Sequence, residues 1–507
     1  MFLVKINRPE YSYDVHSLIK AFYPEETVKV ITPENNDSHK KDLTGPVRME
    51  LLFDADGCVT LQYCEAVLEE NERIYTWNPA SEGRQDFSVV EGATEEEGKM
   101  SRSAYKNSMK RFLYETLKNI TGKELPWGNL TGIRPTKIVM GMLEEGKTEE
   151  EIRTFMREKH LVSKEKTELG IEIAKREKNL LSKLHVKEGY SLYIGIPFCP
   201  TTCLYCSFTS YPICAYKDQT DAYIDCLIRE MELTAKLQKG KILDTVYIGG
   251  GTPTTLEPDQ LLRIITSLKE IFDFSTVQEF TVEAGRADSI TREKLQVLYE
   301  CGVTRISVNP QTMNEETLKF IGRQATAEKT IEAYHLAREV GFDNINMDMI
   351  LGLPGEDEKD VAETIEKIVS LNPDSLTVHS LAVKRASKLR QFIEENGIEM
   401  LHNTEETMAI ATEGAKRMHM HPYYLYRQKN MTGNLENVGF AREGNYGIYN
   451  ILIMEEVQTI VALGAGSITK RVFPDGRIER CDNVKDVTQY IERIDEMLKR
   501  KRELLAD

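Results

Sequence analysis

Between Gly189 and Val383 the chain alternates six short apolar runs with amphipathic segments of helical period, and this regularity restricts its fold more than any other feature. The apolar runs are Leu192–Ile196, Thr245–Ile248, Phe280–Glu283, Arg305–Asn309, Asn344–Met349 and Ser375–Ser380. The helical patterns between them include Asp218–Gln238, Pro258–Ile271, Arg292–Glu300, Ala327–Val340 and Asp357–Ser370. A helix between two strands returns the chain to the same end of the sheet, so successive strands run parallel. The expected fold is α/β, with a parallel sheet that either closes partly into a barrel or stays open. In both cases ligands belong at the carboxyl ends of the strands.

The chemically suggestive residues fall at those ends. Directly after the first run stands Cys199-Pro200-Thr201-Thr202-Cys203-Leu204-Tyr205-Cys206, a CxxxCxxC triplet. Three close thiolates can hold three irons of a four-iron cluster and leave the fourth open to a substrate. A zinc site would take a fourth soft ligand, which Cys214 could supply by looping back. A secreted disulfide framework fits poorly, because the nine cysteines are odd in number and scattered over a large chain. Cluster, zinc and ordinary thiols are the readings the triplet leaves open. After the second run comes Gly249-Gly250-Gly251-Thr252-Pro253-Thr254, which matches neither a Walker A loop nor GxGxxG. It reads as a loop whose glycines let a ligand approach the main chain, or as a plain strand–helix turn.

Three regions differ in character. From Met1 to about Asp86, Val47–Phe53 and Val59–Tyr63 alternate around the turn Asp54–Gly57, which predicts a hairpin. From Thr94 to about His185 charged amphipathic helices dominate, interrupted by Leu125–Pro135, a loop that reads as a binding contact or as a helix connector. Beyond Lys384 the chain carries a helix at Thr404–Met418, a Tyr-rich strand at Tyr423–Tyr426, the segment Ile460–Ile468 and an amphipathic terminal helix ending near Leu504. The expected boundaries are 1–185, 186–383 and 384–507. A net charge of −16 argues against general affinity for nucleic acid or anionic membranes. No apolar stretch approaches the ~18 residues that span a bilayer. The remaining thiols, Cys58, Cys64, Cys226, Cys301 and Cys481, suit a reducing cytoplasm, and a cytoplasmic location without membrane or nucleic-acid partners is expected.

Taken together, Tyr193–Cys199, Gly249–Thr254, Arg305-Ile306-Ser307-Val308-Asn309-Pro310-Gln311 and Asp348-Met349-Ile350-Leu351-Gly352-Leu353-Pro354-Gly355 resemble the oxygen-independent coproporphyrinogen III oxidase (dehydrogenase) family of the radical S-adenosylmethionine (SAM) superfamily. The resemblance covers roughly the second two-thirds of the chain. The long N-terminal extension and Tyr423-Tyr424-Leu425-Tyr426-Arg427-Gln428-Lys429-Asn430 make it especially similar to the extended, HemZ-type branch. It implies a radical SAM partial (β/α)6 barrel with an N-terminal α+β and helical extension and a mostly helical C-terminal lid or substrate domain.

The resemblance also implies a four-iron four-sulfur cluster on Cys199, Cys203 and Cys206, with SAM on the open iron. Tyr193, as a catalytic residue, and Tyr205 would lie near SAM; Gly250, Gly251 and Thr252 would meet its methionine part. Glu283, Gln311 and Asp348 would bond its ribose, Arg323 would pair with its carboxylate, and Ala382 and Ile468 would contact SAM or a second SAM. These residue types suit those partners, since ribose hydroxyls take carboxylates or amides and a carboxylate takes a guanidinium fork.

The implied reaction is oxidative decarboxylation of two propionates of coproporphyrinogen III to vinyls, giving protoporphyrinogen IX, with a flavodoxin- or ferredoxin-type low-potential electron donor. Candidates for binding the tetrapyrrole carboxylates are Lys384, Arg385, Lys388, Arg390, Arg427 and Arg442. The chain departs from the family pattern at Phe208, where another cysteine is usual, and at Gly195, where histidine is usual. Neither touches the ligand count, but both bear on substrate. The alternatives within the same superfamily are a cluster-bearing haem-binding or haem-transfer protein and a haem-modifying methyltransferase.

Overall fold

Alternation in the first residues of the chain builds a small mixed sheet before the long strand–helix array begins. The computed structural model describes residues 1–34, 46–64, 72–79, 101–384, 387–397, 400–428 and 435–506, and the chain divides into two units, Met1–Ile171 and Glu172–Asp507. In the first unit β1 (Phe2–Ile6), β2 (Val28–Ile31), β3 (Val47–Phe53), β4 (Val59–Cys64) and β5 (Glu72–Trp77) lie in the order β2-β1-β3-β4-β5. The expected hairpin is present, with Phe53 opposite Val59 and Gly57 at φ +76° in its turn. Helices Ser12–Phe22 and Arg102–Thr121 bury Val15, Leu18, Met109 and Leu113 in a common core with Val4, Leu51 and Leu61.

The Leu125–Pro135 segment joins Arg102–Thr121 to helix Thr136–Glu144. Trp127 is fully buried, and Gly128 adopts φ +53° where a β-carbon would lie 1.9 Å from the His160 carbonyl. The loop is a connector fastened to the end of helix Glu149–His160, whose His160 carbonyl accepts from the Asn129 amide at 2.9 Å.

The second unit carries β6 (Gly189–Ile196), β7 (Phe198–Cys199), β8 (Tyr211–Pro212), β9 (Ile242–Gly250), β10 (Glu279–Gly285), β11 (Arg305–Val308) and β12 (Ile345–Leu351). It continues with β13 (Ser375–Ser380), β14 (His421–Tyr426), β15 (Asn437–Ala441), β16 (Thr459–Leu463), β17 (Ile468–Val472) and β18 (Ile478–Asp482). Eleven of these form one sheet, β14-β15-β13-β12-β11-β10-β9-β6-β16-β17-β18, and β7 pairs with β8. The six expected strands are adjacent, parallel and in chain order, as in a partial (β/α)6 barrel. Helices Thr220–Leu237, Pro258–Ile271, Arg292–Glu300, Ala327–Val340 and Glu358–Leu371 occupy the expected connections.

The residues after β13 supply helices Lys388–Asn396, Glu405–Arg417, Ile448–Glu455, Val487–Glu492 and Ile494–Leu505 and also lengthen the sheet at both ends. There β15 adds antiparallel to β13, and β16 adds parallel to β6. The strand sides alternate in chemistry. Leu192, Ile194, Val246, Ile248, Val282, Ile306 and Val308 are buried, while the intervening residues bond one another: Thr245 to Ser191 at 2.9 Å, Arg305 to Ser375 at 3.1 Å, and Ser375 and Thr377 to Asn346 at 3.0 and 3.2 Å. Among the described residues no helix is long and apolar enough to cross a membrane.

One buried carboxylate fastens the C-terminal helix to this sheet. Glu230 accepts from the Gly464 amide at 2.7 Å, Asn483 at 2.9 Å and Tyr490 at 2.6 Å, and Lys501 lies 3.4 Å away, with both charged side chains almost fully enclosed. Removing one partner strands the other charge, which costs about 3–5 kcal/mol. Glu230→Leu is therefore expected to lower the unfolding free energy by that much, read as a lower urea midpoint at unchanged slope, and an unaltered midpoint would refute the role.

Candidate active site at the carboxyl ends of the strands

The cysteine loop and the glycine loop meet because β6 and β9 are paired in register up to Ile196 opposite Gly250. Beyond that pair the Gly251 amide donates to the Ile196 carbonyl at 2.8 Å and the Thr252 amide to the Phe198 carbonyl at 2.7 Å. These bonds bring Thr252 Oγ1 to 3.4 Å from Cys199 Sγ. A β-carbon at Gly251 would lie 2.5 Å from the Phe198 carbonyl oxygen, and Gly250 sits at φ +110°. The glycines are thus required by the chain's own cysteine loop as well as by any ligand. That loop is held from outside by Thr201 Oγ1 donating to the Gly322 carbonyl at 2.9 Å and the Leu204 amide donating to Ile321 at 2.9 Å.

Two arginines flank the thiols. Arg286, buried at the end of β10, donates to the Thr201 carbonyl and hydroxyl at 3.0 and 2.9 Å, approaches Cys203 Sγ at 3.7 Å and pairs with Asp288. Arg323 donates to the Asn309 carbonyl at 2.5 Å and to Tyr205 Oη at 3.4 Å. Burial pushes the Cys199 thiol up to about 11, against the Thr252 hydrogen bond, and raises Cys206 as well. A coordinated metal is what would hold such sulfurs as thiolates at neutral pH. Cys214 is exposed on the turn Ile213–Ala215.

Around the mouth the strand ends continue the set. Gln311 adopts the left-handed φ +65°, unusual for a residue with a side chain, and is kept there by bonds of 2.9 Å from its amide to the Asp348 carbonyl and from the Ile350 amide to its own carbonyl. Asp348 Oδ1 accepts from Asn346 at 2.7 Å; burial acts to raise its pKa, but His379, Asn346 and Thr377 more than offset this and hold it below its usual value. Glu283 accepts from Tyr247 Oη, and burial lifts its carboxyl to about 7 although that hydrogen bond acts in the opposite direction. Tyr193, Tyr247 and Tyr449 stack, with centroids 6.2 Å apart for Tyr193–Tyr247, 6.1 Å for Tyr193–Tyr449 and 4.5 Å for Tyr247–Tyr449.

Most of the residues singled out in the sequence are therefore linked: Cys199 with Thr252, Tyr205 with Arg323, Gln311 with Asp348, and Glu283 with the tyrosine stack that includes Tyr193. Ala382 is buried just beyond β13, whereas Ile468, at the start of β17, is 46% exposed. Of the basic candidates, Arg442 bonds Asp374, which precedes β13, and so lies at the opposite end of the strands from the mouth. Arg427 follows β14 and is buried, Lys388 and Arg390 belong to helix Lys388–Asn396, and Arg385 falls outside the described residues, as do Lys429 and Asn430. Sequence reasoning missed Arg286, Tyr247, Tyr449 and His379. Position gave a signal for two of them: Arg286 directly follows a strand end, and Tyr247 alternates correctly with Gly249.

The donor set fits a four-iron cluster with SAM. Three thiols supply sulfur ligands, and Gln311 Oε1, Arg323 Nε and Ser307 Oγ are buried without a partner. Residues 193–368 match the radical SAM superfamily. The chain is 41% identical over 395 residues to the oxygen-independent coproporphyrinogen-III oxidase-like protein HemZ of Bacillus subtilis, covering 77% of this chain and 79% of that protein. It is 31% identical over 307 residues to the heme chaperone HemW of Bacillus subtilis, covering 60% and 76%. The coproporphyrinogen III oxidase HemN of Escherichia coli, a radical SAM enzyme, shares the fold with a TM-score of 0.50 at 23% identity, over 63% of this chain and 72% of that one.

Anaerobic reconstitution is expected to load about four irons and four sulfides per chain. Alanine at Cys199, Cys203 or Cys206 should abolish that loading, and Cys214→Ala should leave it unchanged. Iron and sulfide analysis checks both, and loss of iron in the Cys214 variant would mean that the ligands were wrongly chosen.

Proposed function

Because the chain belongs to the oxygen-independent coproporphyrinogen-III oxidase-like family of the radical SAM superfamily, in its HemZ-type branch, we propose that it decarboxylates two propionates of coproporphyrinogen III to vinyl groups, yielding protoporphyrinogen IX. Enzymes of this superfamily use a four-iron four-sulfur cluster and SAM, so the zinc reading of the triplet is set aside. The observation that carries the proposal is the joining of the cysteine triplet, Thr252, Glu283, Gln311, Arg323 and Asp348 at one end of one set of strands.

When bound and reduced, the cluster and SAM supply a carbon-centred radical oxidant. The chain's own residues do the rest. Cys199, Cys203 and Cys206 hold the iron, with Arg286 as a buried cation beside Cys203 and Thr252 bonded to Cys199. Gly250, Gly251 and Thr252 receive the methionine part of SAM, Arg323 its carboxylate, and Glu283, Gln311 and Asp348 its ribose hydroxyls. Tyr193, stacked with Tyr247 and Tyr449, would lie near SAM, and Ala382 and Ile468 would contact SAM or a second SAM. A flavodoxin- or ferredoxin-type donor in the reducing cytoplasm would supply the electron that reduces the cluster, a one-electron acceptor would take the electron released as carbon dioxide leaves each propionate, and positioning lets a single oxidant reach one propionate at a time.

A second reading, a haem-binding and haem-transfer protein, is favoured by Phe208, which replaces the usual cysteine and is 69% exposed. The deciding experiment gives the reduced, anaerobic protein SAM and coproporphyrinogen III. Release of carbon dioxide, a tricarboxylate intermediate and about one SAM consumed per vinyl group are expected. Tight haem binding with no carbon dioxide from a protein that still cleaves SAM would select the second reading.

Glu283 makes SAM binding depend on pH. With its carboxyl lifted to about 7 by burial, it is protonated below that pH and ionised above it. The ionised form is the stronger acceptor for ribose hydroxyls, so SAM affinity should rise between pH 6 and pH 8. Calorimetry on Glu283→Gln should give a flatter profile, and identical profiles would remove Glu283 from the SAM site.

A further inference from the structure

A tetracarboxylate substrate needs donors at the mouth, and several cations there are already engaged. Arg286 is tied to Asp288 and Thr201, Arg323 to Asn309 and Tyr205, and Arg305 to Ser375 deeper along the strands. His379 and Lys384 are held less tightly, the first at ion-pair distance from Asp348 and the second facing the Cys206 sulfur. Ser375 and Thr377 both bond Asn346, and the two-residue repeat of β13 places His379 on that same inner side, opposite Ile350 near the carboxyl end. Its Nε2 lies 3.9 Å from Asp348 Oδ2, beyond hydrogen-bonding range, and its Nδ1 lies 3.4 Å from Tyr426 Oη. The ring is thereby oriented by two long contacts while 28% of it stays exposed. Lys384 follows β13 in the chain and holds its Nζ 5.4 Å from the centroid of the exposed Phe208 ring, and among the described residues no carboxylate comes within ion-pair distance of it.

We propose that His379 and Lys384 form a clamp for two carboxylates of the tetrapyrrole, with Phe208 offering its apolar face to the macrocycle, an inference that rests on the reading of coproporphyrinogen III as substrate. The chemistry favours such a clamp. N–H donors bond a propionate strongly, and an aromatic ring suits a flat apolar body. A vinyl side chain makes neither bond, so a group that has reacted loses its hold while the remaining propionates keep theirs. Binding of this kind acts in the ground state and releases the product.

The test uses oxidised coproporphyrin III, a fluorescent tetracarboxylate that does not turn over, and etioporphyrin, which has no carboxylates. Fluorescence titration of His379→Ala and Lys384→Ala should show coproporphyrin affinity reduced roughly ten- to a hundredfold, the effect of losing a hydrogen bond to a charged group. Etioporphyrin affinity and iron content should stay as in the parent in both variants, SAM affinity by calorimetry should stay so in Lys384→Ala, and Lys384→Arg should restore most of the loss. Unchanged coproporphyrin affinity in both alanine variants overturns the clamp and leaves the decarboxylation reading standing. An equal loss of SAM affinity in His379→Ala also overturns it, because the histidine then serves only to support Asp348. A parent that binds coproporphyrin through these residues but releases no carbon dioxide from coproporphyrinogen III supports the clamp and removes the decarboxylation reading.

Discussion

The arrangement of the mouth depends on the phase of β6 against β9. From Ser191 opposite Thr245 to Ile196 opposite Gly250 the two strands run in unbroken parallel register, and the shift between Tyr190 and Ser191 sets that phase. A slip of β6 by one residue would turn Tyr193 toward the helices and put Leu192 in its place beside Tyr247. It would also separate the Ile196 and Phe198 carbonyls from the Gly251 and Thr252 amides, and with them Cys199 from Thr252. On its other edge β6 pairs with β16, Tyr193 opposite Ala462, so the strand that delivers the cysteines has neighbours along both sides. A cluster-binding loop that must keep three sulfurs in place gains its rigidity from this double pairing.

The inner side of the strands is polar where a structural barrel would be filled with branched aliphatic side chains. Low in the array Thr245 bonds Ser191, Thr281 bonds Glu279 and Arg305 bonds Ser375, and Glu279 also receives the Tyr449 amide at 3.3 Å at the start of helix Ile448–Glu455. Arg305 Nε is left without a partner there, and toward the mouth Ser307 Oγ, Gln311 Oε1 and Arg323 Nε have none either. Buried polar groups without partners are costly, and the left-handed backbone at Gln311 adds strain. Groups kept in that condition at the carboxyl ends of parallel strands are preorganised for a polar ligand, since the reorganisation that water would otherwise require has been completed during folding.

How much of this was legible in the sequence depended on the range of the interactions. Helices Arg292–Glu300 and Ala327–Val340 begin where read because Thr291 and Thr326 accept from amides three residues on, at 3.4 and 3.1 Å, which is local chemistry visible in the sequence. The six strands were legible for the same reason, through apolar runs bounded by turns. The place of β16 was not: Ser191 meets Gln458, a partner 267 residues away, and no local pattern announces a strand that will join the far edge of β6. Tyr449 and His379 were missed likewise, because each acquires meaning only from neighbours on other elements. The glycine loop was half legible; its permissiveness toward a ligand was readable, but the collision of a Gly251 β-carbon with Phe198 was a property of the assembled strands.

The two departures from the family pattern have different physical standing. Gly195 lies under the turn that follows β16: a β-carbon there would sit 3.2 Å from the Leu463 carbonyl oxygen, and one on Gly464 would lie 2.4 Å from the Gly195 carbonyl oxygen. Tyr223 binds that same Gly195 carbonyl at 2.7 Å and receives the Ala465 amide at 2.9 Å, while Glu230 holds Gly464. Close crossing of backbones thus favours glycine at 195 and requires it at 464, a packing demand that leaves the thiols untouched. Phe208 has no such explanation, since it is held by no core and meets solvent and the Lys384 ammonium. An apolar ring left 69% exposed two residues beyond the third cysteine contributes little to folding, because little apolar surface is removed from water there. Its free face and the Lys384 ammonium 5.4 Å from its centroid are what the proposed clamp would present to a macrocycle.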